Sequence, residues 1–210
     1  MHLHSEIDFP FDWSKGIAML RYLLKNVGGS CNYMAILKLA FFADRYHIRN
    51  HARPISMDDY FAFPFGPSGS SLMDIMRMPE AVSISDTGIK SGRNYTVQLD
   101  NTKINRSLFS NTDIEAMDLS LEHFAPFIRK GDFVLSEISH AYPEWNQYKE
   151  LFASKRTRRE RIAYEDFLKN VDESHPLLLK HKFTNPYTPL SEDEQSEIIE
   201  EMIEYSSQLV

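Results

Sequence analysis

The chain has 210 residues, of which 30 are acidic and 23 are basic, so its formal net charge at pH 7 is −7. A hydrophobic fraction of 42% and an aromatic fraction of 12% can form a core, which excludes a generally disordered chain. Seven acids fall between Leu190 and Val210, where no Lys or Arg occurs, so the rest of the chain holds 23 acids and 23 bases. The length predicts one domain, alone or with an appended helix.

The N-terminal sequence and the cysteine content favour a cytoplasmic protein. Residues 1–6 contain no basic stretch followed by an apolar one, as a secretory signal requires. The densest apolar run, residues 34–43, is interrupted by Lys38 and is too short to cross a bilayer. The single cysteine, Cys31, cannot form an internal disulfide and suits a reducing compartment. The acidic balance argues against a general nucleic-acid binder, although not against a local basic patch.

Two helices are predicted in the first quarter of the chain. Asp12 precedes a helical pattern that ends at Gly28, because glycine accepts the positive φ of a helix terminus. Asn32 can cap a second helix, which should end near His51 because Pro54 disfavours helical geometry just before it. Apolar residues surround most of the second helix, which favours it as the central helix of the core.

One β-hairpin is predicted in the middle of the chain. Residues 54–71 are rich in proline and glycine and are interpreted as a connection, followed by a short helix over 72–76. Period-two alternation then predicts two strands, around residues 82–84 and 95–99, joined by a long polar tip. No other segment gives a convincing β signal, so the fold class is mainly α, or α+β with one small hairpin near 82–99.

The second half predicts helices, three of which begin at capping boxes: Thr112 to Glu115, Thr157 to Glu160 and Ser191 to Glu194. A further helix begins at Phe133 and is interrupted or restarted by Pro143. Residues 174–190 contain three prolines, so we expect this segment to be mostly extended while its leucines pack on the body. The last helix, over 191–209, has an apolar stripe opposite an acidic face.

A metal site is one interpretation of three polar residues on the second helix. Asp44, His47 and His51 share one helical face, and His140 could complete a ligand set. No HExxH-type signature accompanies them, so the favoured alternative is a polar helix end with Asp44 paired to an arginine such as Arg45 or Arg49, or to a distant partner. We therefore predict no metal.

Two other motifs could indicate a binding site or a reactive group, but a structural explanation is favoured for each. Residues 66–71 resemble an anion cradle before a helix, yet Pro67 removes a donor and a turn with a serine cap explains the same residues. Cys31 near a helix start could be a reactive thiol, but a small residue that fills space is the favoured interpretation. Nothing in the sequence forms a catalytic set, so we predict no enzyme activity and no cofactor.

Two oppositely charged segments are candidate partner-binding surfaces. Residues 155–161 hold five bases, which could contact phosphates, could meet the acidic last helix, or could simply be solvated. The last helix could pack on its own body, the favoured interpretation, or dock into a partner groove. The candidate partner-binding residues are Arg156, Arg158, Arg159, Glu197 and Glu201.

Three separated stretches resemble the Panacea domain, the SocA-like antitoxin domain of bacteria and phages. The first runs from Leu37 to Asp44; the second leads through Arg53-Pro54-Ile55 and Asp59 to Ala62, ending at Phe65-Gly66-Pro67; the third runs from Leu135 to His140 and is followed by Trp145. The similarity covers about residues 14–152. Phe65 stands where the family usually has tyrosine, Ser68 where valine is usual, and Ala40 where a bulkier residue is common.

The resemblance implies a mostly helical domain that acts by binding a neighbouring toxin, either blocking it directly or handing it to a protease. It implies a domain over 14–152 with an N-terminal extension, 1–13, and a helical C-terminal extension, 153–210, that packs on it. Nucleic-acid binding by the basic run is the alternative function, and a metal-dependent hydrolase is a distant third. The family-motif residues, structural or partner-facing, are Lys38, Leu39, Phe42, Asp44, Pro54, Tyr60, Phe65, Gly66, Pro67, Ser136, His140 and Trp145.

Overall fold

A computed structural model describes residues 7–81, 87–100, 103–131 and 133–209. Nine α-helices, four short 3-10 helices and six strands lie within these ranges, so the prediction of a mainly helical α+β fold is confirmed. The strands form two antiparallel sheets of three strands each. The helices are α1 (Trp13–Asn26), α2 (Tyr33–His51), α3 (Ser70–Arg77), α4 (Asn111–Phe124), α5 (Val134–Ser139), α6 (Pro143–Asn146), α7 (Lys149–Ala153), α8 (Pro176–His181) and α9 (Glu192–Ser207). The strands are β1 (Ser30–Asn32), β2 (Tyr60–Phe63), β3 (Gly66–Gly69), β4 (Ile89–Ser91), β5 (Thr96–Leu99) and β6 (Glu160–Arg161).

The helices α1 and α2 begin and end as the sequence predicts. The Asp12 side chain accepts a hydrogen bond from the Lys15 amide at 3.0 Å, and the Asn32 side chain accepts one from the Met34 amide at 3.0 Å. Helix α2 ends at Ala52, which adopts left-handed geometry with φ 52°. Its buried residues include charged side chains as well as apolar ones. None of the described helices is long and apolar enough to span a membrane.

The predicted hairpin exists, but its first strand and its tip differ from the prediction. Its arms are β4 and β5, while residues 82–84 fall in a range, 82–86, that lies outside the described residues. The tip is short, because the Gly92 amide donates to the Thr96 carbonyl at 2.7 Å and Asn94 and Tyr95 take left-handed φ values. Strand β1 pairs with the other edge of β5, which gives the order β1-β5-β4.

A second hairpin, β2–β3, lies in the segment that we predicted to be a connection, so the expectation of a single β signal is wrong. Tyr60 pairs with Gly69 and Phe63 pairs with Gly66, and β6 adds to the far edge of β2. Tyr60 and Ala62 are buried while Phe61 and Phe63 are half-buried, which is the period-two pattern of a strand. Gly66 has φ 98°, and this left-handed conformation lets the chain turn into β3.

The three predicted capping boxes have different outcomes. The box at Ser191 is confirmed, because the Ser191 hydroxyl accepts from the Glu194 amide while the Glu194 carboxylate accepts from the Ser191 amide. Helix α4 has its box two residues earlier than predicted, with Ser110 as N-cap and Asp113 as its partner. The box at Thr157 is wrong. The Thr157 hydroxyl instead bonds both backbone groups of Arg159, an arrangement that favours a turn over a helix.

The remaining helical predictions are partly confirmed. Helix α5 begins after Phe133, and Pro143 starts the separate helix α6. Residues 174–190 contain α8, where we predicted extended chain. Pro176 occupies the first helical position, where its missing N–H costs nothing, and His175 caps the helix by accepting from the Leu177 amide at 3.2 Å. The helix predicted after Thr157 would have continued through residues 162–171. Instead, the Ile162 amide donates to the Tyr60 carbonyl, next to β6, and Tyr164–Leu168 form a 3-10 helix.

Helix α9 contacts the body through its apolar stripe. Met202 is fully buried, whereas Ile203 is 40% exposed. The Tyr205 ring lies 6.1 Å from the Phe9 ring, and the Arg53 guanidinium lies over Tyr205 at 5.9 Å. The acidic residues of the helix face solvent on the opposite side.

The neighbouring residues Met202 and Ile203 allow a matched test of this packing. We expect Met202→Ala to lower the free energy of unfolding by about 2–4 kcal/mol, because it removes buried apolar surface and leaves a cavity. We expect Ile203→Ala to lower it by less than about 1 kcal/mol. Urea unfolding followed by circular dichroism measures both. Equal effects of the two variants would contradict the packing of α9 on the body.

Candidate functional site

The Asp44 carboxylate fixes the segment that follows α2. It is fully buried and accepts hydrogen bonds from the Ile55 amide at 2.7 Å, from the Tyr60 hydroxyl at 2.8 Å, and from both the amide and the hydroxyl of Ser56. The expected pairing of Asp44 with an arginine such as Arg45 is therefore wrong. Burial raises the pKa of Asp44, and the hydrogen bonds from Ser56, Tyr60 and Ile55 oppose that shift.

Two buried arginines of α2 bind segments from the second half of the chain. Arg45 forms an ion pair with Glu144 of α6, in which both side chains are at most 1% exposed, and it also donates to the Lys169 carbonyl at 2.7 Å. Arg49 donates to the carbonyl of Leu168 at 2.6 Å and to that of Thr188 at 2.7 Å. These bonds attach residues beyond 160 to the same helix that carries the sequence motif.

The structure brings His47 and His51 together, with ring centroids 4.7 Å apart, but not the other proposed metal ligands. The His47 Nδ1–H donates to the Arg53 carbonyl at 2.7 Å, and His47 Nε2 lies 3.2 Å from a carboxylate oxygen of Asp113. The Asp44 oxygens are occupied by the hydrogen bonds described above, and His140 lies on α5 against Trp145. Within the described ranges, no group of three or more His, Cys, Asp or Glu could hold a metal ion. The distant alternative of a metal-dependent hydrolase therefore loses its ligand set.

A buried amine lies under the turn between β2 and β3. Lys38 is 3% exposed, and its Nζ donates to the Pro67 carbonyl at 2.6 Å and to the Ser68 hydroxyl at 3.2 Å. A Cβ on Gly66 would stand 3.0 Å from this Nζ and 2.4 Å from the Ser139 hydroxyl, so only glycine fits between them. Burial lowers the pKa of Lys38 to about 7.

Helix α5 covers the other side of this turn. His140 stacks on Trp145 with ring centroids 3.6 Å apart, and the Trp145 indole N–H donates to the Phe63 carbonyl at 2.7 Å. The Pro67 carbonyl of this turn is bonded by Lys38 and not by His140. Within the described residues, His140 Nε2 and the Ser136 hydroxyl are buried without a hydrogen-bond partner. Burial and the charge of Lys38 lower the pKa of His140 to about 3.

A cleft of about 270 Å³ opens above Lys38 between α2, the β2–β3 turn and α3. We call it the lysine cleft. Apolar side chains form most of its wall, and Arg77 of α3 lies at its exposed side. The residues that line it include Tyr33, Met34, Lys38, Phe63, Met73 and Arg77.

Most family-motif side chains are buried, and one large one is not. Leu39, Phe42, Asp44, Pro54 and Tyr60 are in the core, as are Gly66, Pro67, Ser136 and Trp145. Phe65, at the tip of the turn, is 59% exposed, and its ring lies 5.9 Å from that of Phe133, which is 51% exposed. The sequence motif did not identify Phe133, which joins this surface only through the fold.

The anion cradle that residues 66–71 resemble is filled by the protein's own carboxylate. Asp58 accepts from the amides of Ser71 at 3.0 Å and Leu72 at 2.8 Å, the free donors at the start of α3. The helix has Gly69 as its N-cap and no serine cap, so that expectation is also wrong. Cys31 lies in β1, where its thiol donates to the Asn32 carbonyl at 3.4 Å.

The basic run and the acidic helix do not meet. Arg161 pairs with Asp59 at 2.6 Å, and Arg159 lies over the Phe61 ring at 5.1 Å. Lys155, Arg156, Arg158 and Arg159 form no ion pair with any described residue, and neither do Glu197 and Glu201. Pairing of β6 with β2 holds the run beside the second sheet, whereas α9 packs near α2.

Comparison with known proteins gives one match. The family model described as antitoxin SocA-like, Panacea domain, matches residues 36–146, which is more than half of the chain and confirms the resemblance. No curated protein and no solved structure matches.

The buried amine gives a direct pH prediction. We expect Lys38 to titrate near pH 7, because its folded pKa is depressed, so that it is charged below and neutral above this pH. Lysine 13Cε shifts measured by NMR from about pH 5 to pH 11 report this titration, and Lys38→Met assigns the signal. A Lys38 midpoint above pH 10 would contradict the burial of the amine.

Proposed function

Because this chain belongs to the SocA-like Panacea antitoxin family, we propose that it is a non-enzymatic antitoxin that binds a toxin encoded by a neighbouring gene and neutralises it by contact. Residues 14–152 would form the Panacea domain, and 153–210 an extension packed on it. The family match over residues 36–146 supports the first part of this division, and the bonds of Arg45 and Arg49 to residues 168–188 support the packing of the extension. The protein's partner is then another protein chain.

The observation that carries this proposal is the exposed pair of Phe65 and Phe133. Large aromatic side chains that remain half exposed cost hydrophobic free energy, and they are typical of contact sites in protein interfaces. The pair lies at the turn whose other motif residues, such as Gly66 and Trp145, are buried. The family motif therefore builds a rigid support for one exposed surface, which we propose contacts the toxin.

Co-expression tests this function. We expect one flanking gene to be toxic alone and harmless with this protein. Phe65→Ala with Phe133→Ala should abolish the rescue, since loss of a hot spot costs about 2 kcal/mol or more. Leu179→Ala is the control, because Leu179 is 63% exposed and lies on α8. If no neighbour is toxic and none co-purifies, the antitoxin role fails; an unchanged rescue by the double variant would remove this surface from it.

The same strains separate direct blocking from a protease-adaptor role. Direct blocking leaves the toxin at its normal level, whereas an adaptor lowers the toxin's half-life. A pulse-chase measurement of tagged toxin, with and without this protein, distinguishes the two modes.

Nucleic-acid binding is the second candidate, and one specific observation favours it. Arg159 over Phe61 combines a base with a half-exposed aromatic ring, and the unpaired Arg156 and Arg158 lie in the same loop. Cation–aromatic surfaces of this kind bind single strands. This candidate predicts salt-sensitive gel shifts that are lost when Arg156, Arg158 and Arg159 become Ala. Shifts that persist in the triple variant would exclude this loop.

A further inference from the structure

The lysine cleft contains two basic side chains. Lys38 lies at its base and Arg77 at its exposed side, and no acidic side chain among the described residues lines it. Neither residue forms an ion pair with any of the described residues. A lysine ammonium has three donors, and Lys38 uses them on the Pro67 carbonyl and the Ser68 hydroxyl only. When Lys38 is protonated, one N–H therefore remains without an acceptor in the part of the chain that the structure describes.

Such an amine is costly to bury without a counter-charge. Lysine is almost never fully buried unless it is paired, because an unpaired ammonium loses its hydration. In this protein Lys38 is 3% exposed, and the turn lies directly against its amine, since a Cβ on Gly66 would stand 3.0 Å from Nζ. An anion placed in the cleft would supply the missing partner.

The walls of the cleft specify the rest of the ligand. Tyr33, Met34, Phe63 and Met73 give it an apolar surface, and exposed Phe65 extends that surface outward. Its volume of about 270 Å³ is below the range of about 300–1,000 Å³ that is usual for sites of drug-sized ligands. The cleft therefore suits one or two amino-acid side chains better than a cofactor.

We propose that the lysine cleft binds an Asp or Glu of the toxin that stands next to a large apolar residue, with the carboxylate between Lys38 and Arg77 and the apolar side chain against Phe63 and Met73. Arg77 is exposed, so a side chain of the partner can reach the cleft at α3. This inference rests on the proposed function and names the chemistry that its partner contributes.

Three blocked dipeptides test the inference without the toxin. N-acetyl-Asp-Phe-amide carries a side-chain carboxylate, N-acetyl-Asn-Phe-amide carries no charge, and N-acetyl-Asn-Phe carries only a terminal carboxylate. We expect the Asp peptide to bind the full chain with a Kd on the order of 1 mM, and the Asn amide at least tenfold more weakly. NMR titration of the 13Cε signal of Lys38 follows the binding, and the bound carboxylate should raise the pKa of Lys38.

Variants locate the binding. Arg77→Gln should weaken the binding of the Asp peptide by about fivefold. Arg129 is exposed and lies outside the cleft, so Arg129→Gln should leave the affinity unchanged. Lys38→Met should remove the discrimination between Asp and Asn peptides. Arg77→Gln retains its value as a test even if Lys38→Met fails to fold, because Arg77 has no described partner to lose.

Each other outcome overturns the inference. Equal binding of the Asp and Asn amides, or no response of Lys38, would show that the cleft does not select a carboxylate. If N-acetyl-Asn-Phe bound most tightly, the ligand of the cleft would be a C-terminal carboxylate and not an internal Asp or Glu. An affinity that is unchanged in Arg77→Gln would place the peptide elsewhere. If the dipeptides fail while Phe65→Ala with Phe133→Ala still abolishes rescue, the proposed function stands without this cleft.

Discussion

Charged side chains buried on α2 are the constraint on which the rest of the structure depends. A buried charge must be paired or hydrogen-bonded, and breaking a buried ion pair at one partner costs about 3–5 kcal/mol. Asp44 therefore binds the segment from Ile55 to Tyr60, Arg45 binds Glu144 and the Lys169 carbonyl, and Arg49 binds carbonyls as far away as Thr188. One helix thereby fixes the position of chain segments that are more than a hundred residues apart in sequence.

Lys38 has fewer partners than the other buried charges of α2, and this difference connects the fold to function. Asp44 accepts four hydrogen bonds and Arg45 pairs with Glu144, whereas Lys38, which has three donors when protonated, contacts only two neutral oxygens among the described residues. The cleft above it and the exposed pair of Phe65 and Phe133 lie at the same turn. A rigid scaffold that leaves one cation and two aromatic rings available has the properties that a binding surface requires.

Local signals in the sequence were sufficient at the starts of α1, α2 and α9, where the deciding interaction is short in range. The caps of α1 and α2 at Asp12 and Asn32 involve residues two or three positions away, and the box at Ser191 is equally local. The Thr157 box failed because β6 pairs with β2, an interaction across about a hundred residues. The β2–β3 hairpin was missed for two reasons. Residues 60–63 are all hydrophobic, so they alternate only in burial, and the proline and glycine nearby suggested only a connection. The amides at the start of α3 are not free to bind an external anion, because they donate to the Asp58 carboxylate.

The sequence by itself determined the helical class, the ends of the first two helices, the family and the segregation of charge into a basic run and an acidic last helix. Only the tertiary structure decided which motif residues are buried, that Phe133 joins Phe65, and that Lys38 has no counter-charge. It also decided that the two charged segments stay apart. The physical reason is that burial and pairing depend on which distant surfaces pack together, and no local pattern of residues records that choice.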